Sequence, residues 1–356
     1  MRVLQLIDSL RSGGAEKMSV SYANALAKRI DGSYLCCTRM EGLLKKEVTP
    51  EVGYLFLHKR SRLDISAFLK LRKFIQENKI DIIQAHSSSW FLALIVKLSS
   101  KEVKLIWHDH YGRELGERKS GLLRPASRFF DGVIVVNSAL QRWSQKNLYC
   151  RNIKFFRNFL PDNSISDNKV DLKGGDSFKI VCVANFRPQK DHLTLLKAFK
   201  QVVSRVENIT LHLIGKFKND DYTKKIKSYI IKNYLQDKVF VYGEQEKPFH
   251  LLGQANLGVL SSVSEGLPLA LLEYGYAGLP VICTEVGECP EVIKTNGILV
   301  PPGKPDVLVN AFLKYFSSKK RSQEDAKAFQ REIIQHYTEQ NVIVEVVEFF
   351  SSLRKR

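Results

Sequence analysis

The feature that most constrains the fold is an alternation of short apolar runs with longer amphipathic runs, which occurs twice along the chain. The short runs have the length and composition of buried strands, and the runs between them follow the period of a helix. Strands that alternate with helices form parallel sheets that are covered on both faces. The sequence therefore predicts an α/β fold of two doubly wound, Rossmann-like domains.

A polar, turn-rich segment separates the two series of elements. Residues 161–176 are rich in Pro, Asp, Asn, Ser and Gly and have little hydrophobic periodicity, which is typical of a linker. The predicted N-terminal domain is therefore 1–160, and the predicted C-terminal domain is 177–335. A last helix at 336–356 can cross back to the first domain.

The individual elements follow from the same patterns. Strands are predicted at 3–7, 33–38, 54–57, 80–85, 103–108 and 132–136, and then at 179–184, 210–214, 239–242, 257–260, 280–283 and 297–300. Helices are predicted at 15–29, 65–78, 90–99, 122–130 and 139–145, and then at 192–203, 222–233, 248–254, 268–277, 305–316 and twice within 322–356.

Composition excludes several classes of protein. The 356 residues are 44% hydrophobic, which is typical of a globular chain, and no apolar run approaches the roughly 18 residues that span a bilayer. Residues 1–8 reach a charge too early for a signal peptide, so a cytoplasmic protein is expected. The cysteines form no C-x-x-C pair, which favours buried free thiols over disulfides or zinc. They are Cys36, Cys37, Cys150, Cys182, Cys283 and Cys289.

The net charge of +18 is concentrated in the first half of the chain. Residues 1–160 contain 28 Lys and Arg against 14 Asp and Glu, whereas the remainder contains 27 against 23. A domain with this excess of positive charge is suited to bind nucleic acid, an anionic membrane or an acidic substrate. Because the sequence contains no nucleic-acid-binding motif, a membrane surface or an anionic acceptor is the better prediction. The basic, apolar segments 59–74 and 113–128 either lie on an anionic membrane surface or pack on the sheet with solvated charges.

Two loops at predicted strand-to-helix junctions contain residues that suit phosphate binding. Gly13 and Gly14 precede the first helix and can offer bare N–H groups to a phosphate, although a tight turn also explains paired glycines. Arg187 and Lys190 follow the first strand of the second half and can clamp a diphosphate. A solvated loop with two ordinary cations remains the alternative for them.

A third loop places two glutamates eight residues apart. Pro268 suits the first helical position, and the free N–H groups of that turn favour an anion. Glu265 is expected just before the helix and Glu273 about two turns into it, where both can accept from sugar hydroxyls. The alternative is an ordinary helix start with acidic residues near its positive end. All three loops are expected at one cleft.

These three loops and the Val-Pro-Pro-Gly turn at 300–303 together resemble the retaining glycosyltransferases of family 4. That family has the GT-B fold, in which two Rossmann-like domains face each other across a cleft. The resemblance extends from the glycine loop to residue 303, and the paired-glutamate segment is its most specific part.

The resemblance implies a role for each motif residue. Glu273 binds the ribose hydroxyls of a nucleotide sugar, and Glu265 contacts the donor sugar near the reacting face. Arg187 and Lys190 neutralise the charge of the diphosphate. Gly13 and Gly14 lie against the diphosphate from the first domain. Leu267, Pro268 and Leu269 complete the donor-binding helix start.

A histidine at the end of a first-domain strand is implied beside the reacting carbon. His110 is favoured over His108 for this role, and the other histidine then packs behind it. The nucleobase is expected near Glu244, although a turn after a strand gives the same pattern. No Asp-x-Asp triplet is present, so the protein's own cations replace a metal, and neither a metal nor another cofactor is expected.

The implied activity is retaining transfer of a hexose or N-acetylhexosamine from a UDP- or GDP-sugar. The expected acceptor is a glycan or a lipid-linked glycan in cell-surface polysaccharide synthesis, on the inner face of the cell membrane. An inactive glycan-binding relative and a sugar-nucleotide epimerase of the same fold are the alternatives. Glu288, next to Gly287, and the run 274–277 depart from the family pattern and leave donor preference open.

Overall fold

The computed structural model describes residues 1–11, 13–100, 102–111, 118–161, 171–245 and 249–354. The chain divides into two compact units, one formed by Met1–Pro161 with Glu339–Arg356 and the other by Asp162–Thr338. The first unit therefore contains residues from both ends of the chain. Most of the predicted linker, at 162–170, lies outside the described residues.

The first unit is built on a parallel sheet of seven strands. The strands are β1 (Arg2–Ser9), β2 (Gly32–Met40), β3 (Gly53–Phe56), β4 (Ile82–His86), β5 (Lys104–Asp109), β6 (Gly132–Val135) and β7 (Ile153–Phe155). The helices are α1 (Gly14–Ala27), α2 (Ile65–Glu77), α3 (Trp90–Ser99), α4 (Leu123–Ala126) and α5 (Ser138–Asn147). The strand order is β3-β2-β1-β4-β5-β6-β7, so the order reverses between β1 and β4.

The second unit contains a parallel sheet of six strands. They are β8 (Phe178–Val183), β9 (Ile209–Ile214), β10 (Val239–Gly243), β11 (Leu257–Leu260), β12 (Val281–Thr284) and β13 (Ile298–Val300). Its helices are α6 (His192–Val203), α7 (Asp221–Lys232), α8 (Phe249–Leu252), α9 (Leu269–Tyr276), α10 (Cys289–Ile293), α11 (Pro305–Phe316) and α12 (Lys319–His336). The order β10-β9-β8-β11-β12-β13 reverses between β8 and β11.

These observations confirm the predicted fold class of two doubly wound α/β units. In each sheet the central strands are buried on both faces, because helices cover both sides, and this explains their continuous apolar runs. Ligands of such sheets bind outside the carboxyl ends of the strands where the order reverses. The loops after β1, β4, β8 and β11 are therefore the places to look for a site.

Some local predictions were wrong. The predicted helix at 122–130 is only the short α4 followed by a 3-10 turn at Ser127–Phe129, and Pro125 lies within α4. The strand β7 and the helix α10 were not predicted, because each contains five residues or fewer and shows no clear period. The six cysteines are free and buried, as predicted.

The last helix, α13 (Glu339–Arg354), packs on the first unit. Its first residue, Glu339, is buried and accepts from Nη1 of Arg29 at 2.9 Å. The ring of Phe349 lies 5.7 Å from that of Phe156, and the Gly132 Cα leaves room for it. Among the described residues, no helix is long and apolar enough to span a bilayer.

Candidate active site

In the second unit, the loops that follow β8 and β11 are joined at the point where the strand order reverses. The backbone N–H of Val263 donates to the carbonyl of Gln189 at 2.8 Å. The hydroxyl of Ser261 donates to the carbonyls of Lys190 and Asp191 at 3.0 and 3.1 Å. The structure therefore brings together the Arg/Lys loop and the paired-glutamate loop, which are far apart in sequence.

An ion pair lies at the centre of these two loops. Nζ of Lys190 lies 2.5 Å from Oε1 of Glu265, and the same oxygen accepts from the Ser262 hydroxyl at 2.6 Å. The Lys190 and Glu265 side chains are only 18% and 8% exposed. Thr284 Oγ1 donates to the Ser262 carbonyl at 2.6 Å, so the end of β12 supports the arrangement. The Glu265 carboxylate is thus held in a fixed orientation.

Arg187 lies at the opposite end of the same short turn and has a different environment. It is exposed and has an extended backbone, and a 3-10 turn at Pro188–Lys190 follows it. Asp191 then takes the left-handed conformation (φ 44°) and caps α6 by accepting from Thr194. Within the described part of the chain, no carboxylate pairs with Arg187. Its guanidinium is therefore available to an anion.

The helix after the paired-glutamate loop begins one residue later than predicted. Pro268 is the N-cap residue, with ψ 120°, and Leu269 is the first helical residue. Glu273 consequently lies about one turn into α9, not two, and it is buried. Leu267 and Pro268 are buried and Leu269 is half-buried. By helix geometry, the first N–H groups of α9 have no acceptor within the helix.

The loop after β12 packs directly on the backbone of Glu265. Gly287 has φ 56°, and a Cβ there would lie 2.2 Å from the carbonyl oxygen of Glu265 and 2.6 Å from that of Gly266. The N–H of Glu288 donates to the Gly266 carbonyl at 2.9 Å. Only glycine fits both the conformation and the space, so Gly287 is a positioning residue that the sequence interpretation did not include.

The unusual run after the second glutamate has a structural explanation at Tyr274. This side chain is fully buried; its hydroxyl accepts from the N–H of Val183 at 2.6 Å and donates to the Val259 carbonyl at 3.3 Å. Its ring occupies the space that Gly258 leaves open. Tyr274 therefore bridges β8 and β11 from within the core.

Glu244 lies in the loop after β10, as predicted from the strand position. Its carboxylate pairs with Nζ of Lys216 at 3.3 Å and is 18% exposed. The N–H of Gly215 donates to the Gly243 carbonyl at 2.8 Å, which joins this loop to the end of β9.

In the first unit, the glycine loop precedes α1 at the carboxyl end of β1. Gly13 is the N-cap, with an extended backbone, and a Cβ there would lie 2.2 Å from the Glu16 carboxylate. Gly14 is exposed, and a Cβ there would meet nothing within 4 Å. Open space in front of Gly14 is consistent with close approach of a ligand to the backbone.

Three histidines lie together at the carboxyl ends of β4 and β5. Nδ1 of His86 lies 2.9 Å from Nε2 of His110, and Nε2 of His86 lies 2.7 Å from Oε1 of Gln5. His108 is fully buried within β5, where Nε2 of Gln84 donates to its Nδ1 at 2.8 Å. Of the two histidines in the predicted segment, His110 is the half-buried one and His108 belongs to the core.

The protonated nitrogen of His110 is linked, through His86, to the orientation of the Gln5 amide. Burial lowers the pKa of His110 to about 3 and that of His86 well below its usual range, so both rings are neutral near pH 7. With the Gln5 amide oriented so that its oxygen faces His86, the ring is protonated at Nε2 and its Nδ1 accepts from His110 Nε2–H. His110 is then left with an unprotonated Nδ1, which can accept from a ligand hydroxyl.

Residues beside His110 fix the end of β5. Asp109 is buried and accepts from both terminal nitrogens of Arg118, at 2.6 and 3.1 Å. The Arg118 guanidinium lies 4.0 Å from the centre of the Trp143 ring. The predicted segment continues to Gly112, which lies outside the described residues.

Among the described residues, His86, His108 and His110 are also the one group of side chains whose ligand atoms lie close enough to one another to suggest a metal site. Its geometry favours a hydrogen bond instead. Two nitrogens on a tetrahedral zinc are about 3.3 Å apart at normal bond lengths, whereas those of His86 and His110 are 2.9 Å apart and directed at one another.

Sequence reasoning did not identify Gln5 or His86 as part of a site. The available signal was the pair of polar residues Gln84 and His86 at the end of an otherwise apolar strand. The strand β4 lies between β1 and β5 in the sheet and pairs with both of them. His86, at the end of β4, can therefore contact Gln5 on one side and His110 on the other.

Comparison with known proteins supports these observations over nearly the whole chain. Residues 164–335 match the family model of glycosyl transferases group 1, and residues 12–159 match that of glycosyltransferase family 4. The chain is 25% identical over 305 residues to the O-antigen biosynthesis glycosyltransferase WbnH of Escherichia coli, covering 78% of this chain and 85% of WbnH.

A second relative is an α-1,4-N-acetyl-D-galactosaminyltransferase of Campylobacter jejuni, whose name specifies a diphosphoundecaprenol-linked trisaccharide. It is 27% identical over 289 residues, with 78% of this chain and 77% of the relative covered. The crystal structure of Anabaena HepE with UDP-glucose superposes with a TM-score of 0.83 at 20% identity, covering 99% of this chain and 100% of HepE. That likeness concerns the fold.

Proposed function

Because the chain belongs to the group 1, family 4 glycosyltransferases of GT-B fold, we propose that it is a retaining glycosyltransferase that uses a UDP- or GDP-sugar. It transfers a hexose or N-acetylhexosamine to a glycan or lipid-linked acceptor in cell-surface polysaccharide synthesis. One observation carries the proposal: the loops after β8 and β11 bring Arg187, Lys190 and Glu265 together at the strand reversal.

The chemistry of glycosyl transfer suits this arrangement. The bond between the sugar and the diphosphate breaks with charge developing on the leaving diphosphate and an oxocarbenium-like sugar. Arg187 is exposed and unpaired with any described carboxylate, so it can bind the diphosphate, while Lys190 adds a second positive charge. The first N–H groups of α9 add a positive dipole end. These fixed groups are proposed to serve in place of a metal.

The two glutamates are proposed to have separate roles. Glu273, buried about one turn into α9, accepts from the ribose hydroxyls, and Glu265, held by Lys190 and Ser262, contacts the donor sugar. Glu244 lies near the nucleobase. His110, with Nδ1 as an acceptor, is proposed to hold a hydroxyl of the donor sugar, with Gly13 and Gly14 behind the diphosphate.

Donor binding provides the test. UDP-, GDP- and ADP-sugars are screened for an increase in the melting temperature, and one UDP- or GDP-sugar should raise it by several degrees. Glu273→Gln should abolish that shift, whereas Glu291→Gln, at an exposed position on α10, should preserve it. Arg187→Ala should reduce turnover more than donor binding. If no nucleotide sugar shifts the melting temperature, an inactive glycan-binding relative becomes the better interpretation.

We further propose that the enzyme is cytoplasmic and peripherally bound to an anionic membrane surface through the first unit. Ala67, Leu71 and Ile75 form the buried face of α2, yet Leu63 and Ile65 remain 71% and 74% exposed beside several cations. A helix that only packed on its sheet would leave fewer large apolar side chains in water.

Vesicle flotation tests the membrane proposal. The wild type should float with phosphatidylglycerol vesicles at low salt and less so at high salt. A Leu63→Ser, Ile65→Ser double variant should bind less, and a variant at the exposed Ile334 of α12, Ile334→Ser, serves as the control. Absence of flotation of the wild type at low salt would refute the membrane proposal without affecting the donor site.

A further inference from the structure

His110 lies between two residues that a single arginine holds in place. The Asp109 carboxylate accepts from Nη1 of Arg118 at 2.6 Å and from Nη2 of the same side chain at 3.1 Å. The Arg118 guanidinium also lies over the Tyr111 ring, 4.3 Å from its centre. Arg118 therefore contacts both the residue that precedes His110 and the residue that follows it.

Asp109 adds a direct link across His110. Its Oδ1 accepts from the backbone N–H of Tyr111 at 3.1 Å, which closes a turn around the histidine. The ion pair is withdrawn from water, since the Asp109 and Arg118 side chains are only 3% and 9% exposed. Burial raises the pKa of Asp109, and the Arg118 charge opposes that effect. A carboxylate buried in this way is costly without its partner, so the turn depends on Arg118.

Arg118 is itself held by the body of the first unit. Its guanidinium lies 4.0 Å from the centre of the Trp143 ring on α5 and 5.6 Å from that of the Trp107 ring on β5. These contacts anchor the turn around His110 to a helix and to its own strand. A planar guanidinium can bond a carboxylate through two nitrogens while its face stacks on aromatic rings, whereas the ammonium of lysine can do neither.

The ring of His110 is restrained by a separate set of contacts. The rings of His108 and His110 lie 3.9 Å apart, centre to centre, so the two share a face of the sheet and Asp109 between them lies on the other. Nε2 of His110 lies 2.9 Å from Nδ1 of His86. His86 therefore orients the ring, whereas the contacts of Arg118 determine the position of the backbone that carries it.

We propose that Arg118 is a positioning residue for the donor site, an inference that rests on the proposed function. By fixing the backbone of His110, Arg118 sets the distance between Nδ1 of His110 and the donor sugar. The guanidinium is nearly buried and committed to Asp109, which distinguishes it from the exposed Arg187 that is proposed to bind the diphosphate. A displacement of about 1 Å at a reacting site can cost roughly a hundredfold in rate, so this anchor should affect turnover.

Kinetics of Arg118→Ala in the full-length protein provide the first test. The kcat for release of nucleoside diphosphate from the donor sugar should fall roughly tenfold to a hundredfold, with less than about a threefold change in the donor KM. Arg142→Ala removes the same side chain from an exposed position on α5 and should change neither constant. A raised donor KM with an unchanged kcat would mean that Arg118 binds the donor directly, and the inference would be wrong.

Chemical rescue separates positioning from general damage to the core. Arg118→Ala leaves a slot between the Asp109 carboxylate and aromatic rings that fits a free guanidinium ion. Guanidinium chloride at millimolar concentration, far below denaturing conditions, should restore most of the lost rate, and the same concentration of sodium chloride should not. Arg118→Lys keeps the charge without the planar fork and should stay impaired. A folded Arg118→Ala that guanidinium does not reactivate would overturn the inference.

Nitrogen NMR of His110 gives a readout that requires no donor. The side-chain signals of His110 should move in Arg118→Ala, return towards their wild-type positions with guanidinium, and stay in place in Arg142→Ala. Signals that do not move in Arg118→Ala would count against the inference. If Arg118→Ala does not fold, Trp143→Leu removes one stacking partner instead, and it should lower kcat by a smaller factor; an unchanged kcat would again contradict the inference.

The melting-temperature shift with nucleotide sugars is measured on the same preparations. If the wild type shows no shift, the proposed function fails. If the wild type shows the shift and Arg118→Ala keeps both the shift and full turnover, only the positioning role of Arg118 fails.

Discussion

The Lys190 amine and the Glu265 carboxylate, 75 residues apart in sequence, meet at 2.5 Å and join the loops that follow β8 and β11. Both side chains are largely withdrawn from water, and Ser262 supports the carboxylate. The contact therefore couples the two halves of the proposed donor site to each other before any ligand is present.

Removal of one partner of this pair should destabilise the second unit. Lys190→Met leaves the Glu265 carboxylate partly buried with only the Ser262 hydroxyl, and a loss of about 3 kcal/mol is expected in urea unfolding. Lys197→Met, at an exposed position on α6, should have little effect. In the Lys190→Met, Glu265→Gln double variant, much of the loss should be recovered; strictly additive losses would show that the two groups do not interact.

Gly287 should be intolerant of any side chain. Gly287→Ala places a Cβ 2.2 Å from the Glu265 carbonyl oxygen and in a left-handed conformation, so a loss of more than about 2 kcal/mol is expected. Gly303→Ala is the matched control, because Gly303 also has a positive φ (70°) but has open space at its Cβ. Its expected cost is only about 1 kcal/mol. Chemical denaturation of both variants measures the difference, and equal costs would rule out the proposed backbone clash.

His86 should act on turnover through His110. His86→Leu removes the acceptor for His110 Nε2–H. Loss of the residue that hydrogen-bonds a functional histidine typically costs roughly tenfold to a hundredfold in activity, and a fall in turnover of that size is expected here. His86→Asn, whose Oδ1 can replace Nδ1 as an acceptor, should restore part of the loss. Nitrogen NMR should find His110 as the Nε2–H tautomer in the wild type and not in His86→Leu.

Acid should destabilise the protein through its buried histidines. Burial lowers the pKa of His192 to about 4, below the unfolded value of 6.5, so the unfolded chain binds the proton first as the pH falls. The stability that this neutral ring contributes is complete above pH 6.5 and is lost between pH 6.5 and about 4. Each such ring accounts for about 1.4 kcal/mol per pH unit within that window.

The wild type should therefore lose stability between pH 7 and pH 5. His192→Gln should reduce that loss by about 2 kcal/mol, whereas His250→Gln, at a water-exposed ring, should leave it unchanged. Urea unfolding at the two pH values provides the measurement. An unchanged loss in His192→Gln would mean that this ring is protonated equally easily in the folded and unfolded chains.

The parts of the fold that could be predicted are those determined by local pattern. The helix α6 and the strand β11 have the bounds that their periodicity predicted, and the loops that hold Arg187 and Glu265 lie at strand ends as expected. The start of α9 was predicted one residue early, because Pro268 suits both the N-cap and the first helical position.

The contacts that could not be predicted depend on strand order. Nothing in the local sequence places β4 between β1 and β5, so the chain of hydrogen bonds from Gln5 through His86 to His110 was not foreseen. The role of Tyr274, which departs from the family pattern, could not be predicted either. Its hydroxyl joins β8 to β11 within the core, and that contact depends on the two strands being neighbours in the sheet.

The docking of α13 on the first unit has a consequence for biosynthesis. A ribosome makes the first 161 residues, then the entire second unit, and only afterwards Glu339, which pairs with Arg29. The second unit can therefore fold as a continuous segment, while the first must wait for its last helix with Phe156 uncovered. Any interruption of synthesis late in the chain would consequently damage the unit that was begun first.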